Sequence, residues 1–314
     1  MTGSATARGP GAGPATGSAG GIVGDGAAGG IAPRNQVTAA AEIEAVAGPG
    51  GVTRLPVLAS QVPLVLRRTP SAVYLVGGAA GPIGGDELSL RVAVGAGAFL
   101  RLRSAAASIA LPGLDGRESV LRVSVSVAAG GRLEYLPEPV VVSARARHAT
   151  LVSVTLAAGA SLVLRDELLL GRFGEAGGSA RTVLRADYAG RPLLRQSLEV
   201  SGTDAASLGP AVLTGHRAVG SLLLVNSPAG PDGVIVTVDH TTGGDATGDD
   251  GGVDGGSGAG RATPERAVMR LAGPGVLVTA LADDAVTLRR RLGLALRSGS
   301  CGASCQDELA LGAL

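Results

Sequence analysis

Three stretches of this chain repeat one pattern, and that pattern limits the fold more than any other feature. Leu88–Ser104 reads LSLRVAVGAGAFLRLRS, Ser119–Leu136 reads SVLRVSVSVAAGGRLEYL, and Ala149–Leu170 reads ATLVSVTLAAGASLVLRDELLL. Each alternates apolar and polar residues around a glycine turn. Strict alternation gives a strand one buried and one solvated face, and glycine at the turn supplies a positive φ or a bulge. The aligned positions are Val94-Gly97-Ala98-Leu100-Leu102, Val127-Gly130-Gly131-Leu133-Tyr135 and Leu156-Gly159-Ala160-Leu162-Leu164. A period of roughly 30 residues is in the range of stacked supersecondary units. The pattern predicts a mainly β protein, a β-solenoid-like or layered β-sheet scaffold. A β-sandwich built from hairpins remains the alternative.

Further strands are predicted at Thr182–Asp187, Pro192–Val200, Ser221–Val225, Gly233–Asp239, Ala267–Leu271 and Gly275–Ala282. One or two short helices complete the pattern. The one near the C-terminus is AVTLRRRLGLAL, with Asp283 or Asp284 as its cap and Val286, Leu288, Leu292 and Leu296 among its apolar positions. A weaker helix is predicted near Gly209–Thr214. Residues 1–36 are rich in Gly, Ala and Pro and read as a disordered leader. Residues 37–298 form the β domain, 241–261 a flexible Gly/Asp-rich insertion within it, and 299–314 a C-terminal tail.

The core must be built from Val, Leu, Ile and Ala, because aromatic residues make up only 2% of the chain and Trp is absent. All 27 basic residues are Arg. Without Lys there is no phosphate-binding Walker loop and no Schiff-base enzyme. A net charge of +1 carries no electrostatic footprint for nucleic acid or membrane. No uncharged apolar run reaches the roughly 18 residues of a membrane span. No secretory signal is read at the N-terminus, so a cytoplasmic location is expected.

The residues offer little catalytic chemistry. His148, His216 and His240 share no metal-ligand spacing and read as surface or strand-end histidines. Cys301 and Cys305 supply only two ligands on a Gly/Ser-rich tail, short of a zinc site. The glycine-rich Gly77–Glu87 precedes a strand, whereas a phosphate cradle needs a helix start. The acidic pairs Asp86-Glu87 and Asp166-Glu167 are adjacent in sequence, so on a strand they point to opposite faces. The basic cluster Arg289, Arg290 and Arg291 either docks a partner or favours the helix C-terminus.

VYLVGGAAGPIGGDELSLRVAVGAGAFLRLRS (Val73–Ser104) resembles the urease accessory protein UreD family, called UreH in some organisms. The family's Gly-Gly-Asp turn is matched by Gly84, Gly85 and Asp86. LEYLPEPVVVSARARH (Leu133–His148) is similar to its Glu-aromatic-Leu-Pro-x-Pro stretch, and Leu170, Gly171 and Arg172 to its LGR segment. GRPLLRQSLEVSG (Gly190–Gly202) continues in the same order, and the likeness runs over roughly residues 37–298. Two departures stand out. RSAAAS (Arg103–Ser108) lacks the family's Gln, and Ser143 stands near the place of an acidic residue.

The resemblance implies a non-enzymatic scaffold that binds urease apoprotein together with UreF and the GTPase UreG. In that scheme nickel is delivered to the urease active site and GTP hydrolysis belongs to UreG. No tightly bound cofactor is implied. A transient nickel route through the protein is, with oxygen ligands, and Asp86, Glu87, Asp166 and Glu167 are its candidate carboxylates. The alternative is a β-solenoid enzyme acting on carbohydrate through paired carboxylates, which would have to face one cleft about 5–10 Å apart.

Overall fold

A computed structural model describes residues 36–226, 235–236 and 265–295. The insertion, the tail, His240, both cysteines and all but Gln36 of the leader lie outside the described residues. In chain order the strands begin with β1 (Thr38–Ala47), β2 (Thr53–Ala59), β3 (Leu64–Arg68), β4 (Val73–Gly77), β5 (Glu87–Val94), β6 (Phe99–Ser104) and β7 (Ser108–Ala110). They continue as β8 (Ser119–Val127), β9 (Arg132–Leu136), β10 (Val140–Val142), β11 (Arg147–Leu156), β12 (Ser161–Leu170), β13 (Ser179–Tyr188) and β14 (Arg191–Ser201). Helix α1 (Ala205–Leu208) leads to β15 (Ala218–Val225), β16 (Ile235–Val236), β17 (Arg266–Arg270) and β18 (Gly275–Ala282). Helix α2 (Ala285–Leu292) and β19 (Leu294–Ala295) follow.

The repeat is built as coils of a β-solenoid, not as hairpins. In each repeat the glycine turn carries the chain from one sheet to the other. Strands β5, β8 and β11 are parallel neighbours in the first sheet, where Leu90, Val123 and Val152 stand in register. Strands β6, β9 and β12 are parallel neighbours in the second, where Leu100, Leu133 and Leu162 do the same. The first sheet has the order β14-β13-β11-β8-β5-β1-β2, and the second β17-β18-β15-β12-β9-β6-β4-β3. Antiparallel strands flank both stacks. The sandwich of hairpins is therefore excluded, since its paired strands would be sequence neighbours.

The turns explain why the repeat needs glycine at one place. Gly97, Gly130 and Gly159 all take a positive φ, at 66°, 69° and 77°. A side chain there costs roughly 1 kcal/mol of backbone strain, and the cost would recur in every coil.

The main core lies between the sheets. Ile43, Leu90, Val92, Leu102, Leu133, Leu162, Leu164 and Leu223 are all buried in it, each contributing about 2 kcal/mol of transfer free energy. A second cluster forms where α2 lays Leu288 and Leu292 over Ala218, Leu222, Val278 and Ala280 on the outer face of the second sheet. A third fills the corner where the coils return to the first sheet, around Ala110, Val142, Leu168, Leu170, Val200 and Leu213.

Both helices differ from the sequence reading. Asp284, not Asp283, caps α2 by accepting from the Thr287 amide at 2.8 Å. The helix stops at Leu292 because Gly293 turns left-handed at φ 77°, and Leu294–Ala295 then pairs with β16. Near Gly209–Thr214 there is no helix; the short helix lies earlier, at Ala205–Leu208, where Asp204 accepts from the Ala206 and Ser207 amides. The other strands run where expected, β13, β14 and β15 longer than expected and β17 and β18 of the expected length; of Gly233–Asp239 only Ile235–Val236 is described. No described helix is long and apolar enough to cross a membrane.

Candidate functional site

The middle of β12 carries the densest chemistry. This strand pairs with β9 over Ser161–Leu164 and with β10 over Leu168–Leu170. Between those pairings the neighbouring coil leaves the sheet through Pro137, Glu138 and Pro139, opening room beside Arg165, Asp166 and Glu167. Alternation along the strand sends Arg165 and Glu167 to the outer face, under α2, and Asp166 into the space between the sheets.

On the outer face the charges are locked together. The Glu167 side chain is fully enclosed and takes the Nε of Arg165 at 3.2 Å and the Nε of Arg289 at 3.1 Å. Arg289 also donates to Glu138, and Arg165 to the Pro137 carbonyl. One coil earlier, on β9, the buried Glu134 accepts from Arg101 Nε at 3.2 Å and Arg103 Nη2 at 3.1 Å. Burial pushes the Glu167 carboxyl up, and the two guanidinium groups beside it pull it down. Of the basic cluster, Arg289 thus anchors the helix here. Arg291 reaches Glu265 and the Leu281 carbonyl, and Arg290 reaches Thr287 Oγ1.

The inner face is different. Between the main core and the corner cluster lies a polar layer. Its second-sheet side holds Tyr135, Asp166 and Ser221. Its first-sheet side holds Ser119, His148, Thr150, Thr182 and Gln196. His148 Nδ1 is 2.9 Å from Ser119 Oγ and its Nε2 is 3.2 Å from Thr150 Oγ1. The Gln196 amide donates across the gap to Ser221 Oγ at 3.2 Å. Asp166 has no hydrogen bond or ion pair among the described residues. Burial, and then the Glu167 charge, push its carboxyl up to about 6. Asp166 in turn helps burial raise the Tyr135 phenol. Burial also drives the His148 imidazole down to about 4. Leu121, Asp166, Thr182 and Ser221 keep accessible surface although they point between the sheets. The residues at this level are therefore less tightly covered than the apolar rows on either side.

Asp86 and Glu87 are not brought to this site. Glu87 starts β5 in the first sheet and Asp86 immediately precedes it, and no contact joins them to Asp166 or Glu167 among the described residues. Glu87 is exposed. Asp86 is only 2% exposed and acts as a latch. Its Oδ1 accepts from the Val37 amide at 3.0 Å and its Oδ2 from the Ile83 amide at 2.8 Å. Of the Gly84-Gly85 pair ahead of it, Gly85 is favoured by its φ of 97° and Gly84 is required by space. A Cβ on Gly84 would stand 2.5 Å from the Gly113 nitrogen and 2.6 Å from the Arg117 oxygen. The glycines thus let two turns of the coil meet backbone to backbone. Asp86→Asn leaves one oxygen for two amides and is expected to cost about 1 kcal/mol, read as a shift in urea midpoint at unchanged slope. A carboxylate kept only for metal would show no such loss.

Among the described residues no group of three or more His, Cys, Asp or Glu is placed to hold a metal ion. His148 stands at the start of β11, as one of the two readings expected, but it is buried and not a surface residue. It sits on the inward face of β11, a position the sequence alternation marks but its type alone does not. His216 pairs with Asp283 at 2.7 Å and Glu265 at 3.2 Å. Gly171 and Arg172 form a surface turn after β12, where Arg172 pairs with Glu175 at 2.9 Å. Glu134 and Glu138 escaped the sequence reading: Glu138 meets Arg289 across 151 residues of chain, and Glu134 meets Arg101 and Arg103 across 33 and 31, separations that no local spacing marks.

Comparison with known proteins completes the picture. The UreD urease accessory protein family model matches residues 38–305. A urease accessory protein UreD from Parafrankia sp. (strain EAN1pec) is 41% identical over 284 residues, covering 82% of this chain and 88% of that protein. One from Frankia alni is 42% identical over 301 residues, covering 82% and 92%. One from Streptomyces coelicolor is 40% identical over 270 residues, covering 83% and 96%. A match over this much of the chain, carried on a stacked β scaffold with the Gly-Gly-Asp latch in place, means that the chain belongs to the UreD family of urease accessory proteins.

Proposed function

We propose that this chain is a urease-maturation scaffold, a chaperone-like adaptor that binds urease apoprotein together with UreF and UreG so that nickel can be inserted into the urease active site. The observation that carries the proposal is membership of the UreD family over residues 38–305. The scaffold works by contact and performs no turnover of its own, in the cytoplasm and without nucleic acid or membrane as a partner. Nickel is cargo in this reading, not a resident cofactor.

The inner polar layer supports a route for that cargo. Nickel passing between the sheets would meet oxygen and nitrogen donors instead of hydrocarbon, and weak, sequential ligands let an ion leave as well as enter. Of the candidate carboxylates Asp86, Glu87, Asp166 and Glu167, Asp166 fits best. It faces the inner space and no guanidinium neutralises it. Glu167 is held by two arginines and Asp86 by two backbone amides, so both serve the route indirectly, through the shape of the scaffold. The carbohydrate-enzyme alternative has no support, because each acidic pair is split: Asp166 faces inward and Glu167 outward, Asp86 is buried and Glu87 exposed.

The test is co-expression with the urease subunits, UreF and UreG of the same genome, followed by native mass spectrometry of the tagged chain. Co-purification with apo-urease and UreF is the expected result. A monodisperse monomer that ignores all of them would overturn the proposal.

A further inference from the structure

The three stacked coils return to the first sheet through three turns that lie side by side: Leu111–Glu118 after β7, Ser143–Ala146 after β10, and Gly171–Gly178 after β12. Their parent strands are direct neighbours, with Ala110, Val142 and Leu170 in register. The outer two turns are long and the middle one is short, so the corner is a saddle. Each outer turn carries a large apolar side chain at its tip. Phe173 is 103% exposed and Leu114 is 94% exposed. The chain has only two Phe, and the other, Phe99, lies under Arg101 and Arg132 at 4.9 and 5.1 Å.

The Phe173 turn is held firmly. The Glu175 carboxylate accepts from the Arg172 amide at 3.0 Å and the Ala144 amide at 3.2 Å, and pairs with the Arg172 side chain. Arg217 donates to the Gly171 and Arg172 carbonyls. Gly171 takes φ 78° and its amide bonds the Val142 carbonyl at 2.8 Å. In the floor of the saddle stands Arg145. It has φ 62°, a strained value for a side-chain-bearing residue. Its guanidinium is exposed and has no hydrogen bond or ion pair among the described residues. A rigid turn presenting an aromatic ring fully to water, a second apolar tip and a free cation between them is the composition of an interface anchor.

We infer that this saddle is a docking surface for one α-helix of a partner protein, with apolar residues about two turns apart on the helix and an Asp or Glu between them. The strands beneath the two tips are two spacings apart, roughly 10 Å. Residues seven apart on a helix are separated by roughly 10.5 Å, and the acidic residue between them would meet Arg145. The inference rests on the adaptor reading and goes further by naming the surface and the chemistry that fits it.

The experiment uses the full chain with apo-urease and with UreF, each purified, and measures affinity at two salt concentrations. The variant Phe173→Ser/Leu114→Ser is expected to weaken binding to one of them by roughly 30-fold with an unchanged melting temperature, because both side chains are already in water. Arg145→Glu is expected to weaken it more than Arg145→Ala, and the difference is expected to shrink in high salt. A photo-reactive phenylalanine analogue at position 173 is expected to cross-link to a helix carrying the acidic-apolar pattern. Unchanged affinity for both partners, or adducts only on non-helical or acid-free segments, would overturn the inference. If the unaltered chain binds neither partner, the adaptor reading itself fails.

Discussion

Glu167→Ala is expected to destabilise the protein by about 3–5 kcal/mol, the range for removing one partner of a buried charge pair. The Glu167 side chain has no exposed surface, and two guanidinium groups converge on it. Arg165 is 8% exposed, so without Glu167 it would keep only Glu138, at 3.7 Å, to offset its charge. Arg289 is the link that ties α2 to the scaffold beside the Leu288 and Leu292 contacts. Losing it loosens the helix as well as the charge cluster. Glu167→Gln keeps the volume and one acceptor and is expected to cost about half as much. Replacing the buried pair together, Glu167→Leu with Arg165→Met, is expected to cost less than Glu167→Ala, because no buried unpaired charge is left at position 165 and Arg289 keeps Glu138. Urea unfolding of the four proteins at one pH gives the comparison. Equal losses for the single and double variants would mean that packing, not charge pairing, holds the site together.

The second large effect is a pH dependence that the native protein conceals. His148 titrates near 4 in the folded chain, below its ordinary 6.5. Its contribution is therefore present above pH 6.5 and is lost as the pH falls, since the unfolded chain takes up the proton first. Asp166 titrates near 6, above its ordinary 3.8. Its effect has the opposite sign: the folded chain takes up the proton first, so stability rises as the pH falls through 6. Between pH 7 and 5 the two changes are each of order 1–2 kcal/mol and oppose one another. The native protein is expected to be nearly flat over that window. Asp166→Asn removes the rising part and is expected to lose about 2 kcal/mol between pH 7 and 5. The window stops at 5 because Glu175, held at about 2 by Arg172, begins to lose its own contribution below its ordinary value of 4.5. A flat profile for Asp166→Asn would mean that His148 is not enclosed in the way the Ser119 and Thr150 contacts imply.

Both effects arise from residues whose roles the chain hides until it folds. Asp166 and Glu167 were legible as a pair of carboxylates split across a strand, because alternation is a local property of extended backbone. What each faces was not. Glu167 meets Arg289 across 122 residues, and Asp166 meets an inner space bordered by strands of both sheets. His148 could be read only as a residue near a strand end, since nothing beside it in sequence marks Ser119 as its partner. The Gly-Gly-Asp turn was visible as a family signature, yet its work as a spacer against Gly113 and a latch on Val37 is a matter of contacts 29 and 49 residues away.

The sequence by itself determined the β class, the three repeats, the glycine at each repeat's turn, the apolar inner rows and the capped terminal helix. All of these depend on side-chain alternation and backbone preference within a few residues. Only the tertiary structure decided that the repeats stack in parallel instead of folding into hairpins, that the carboxylates of β12 divide between a salt-bridged face and an inner polar layer, and that Leu114, Arg145 and Phe173 share one saddle. Those outcomes depend on which distant strands pair. The alternating pattern is the same for a hairpin and for a coil, so local sequence cannot choose between them. The choice follows from burial summed over both sheets at once.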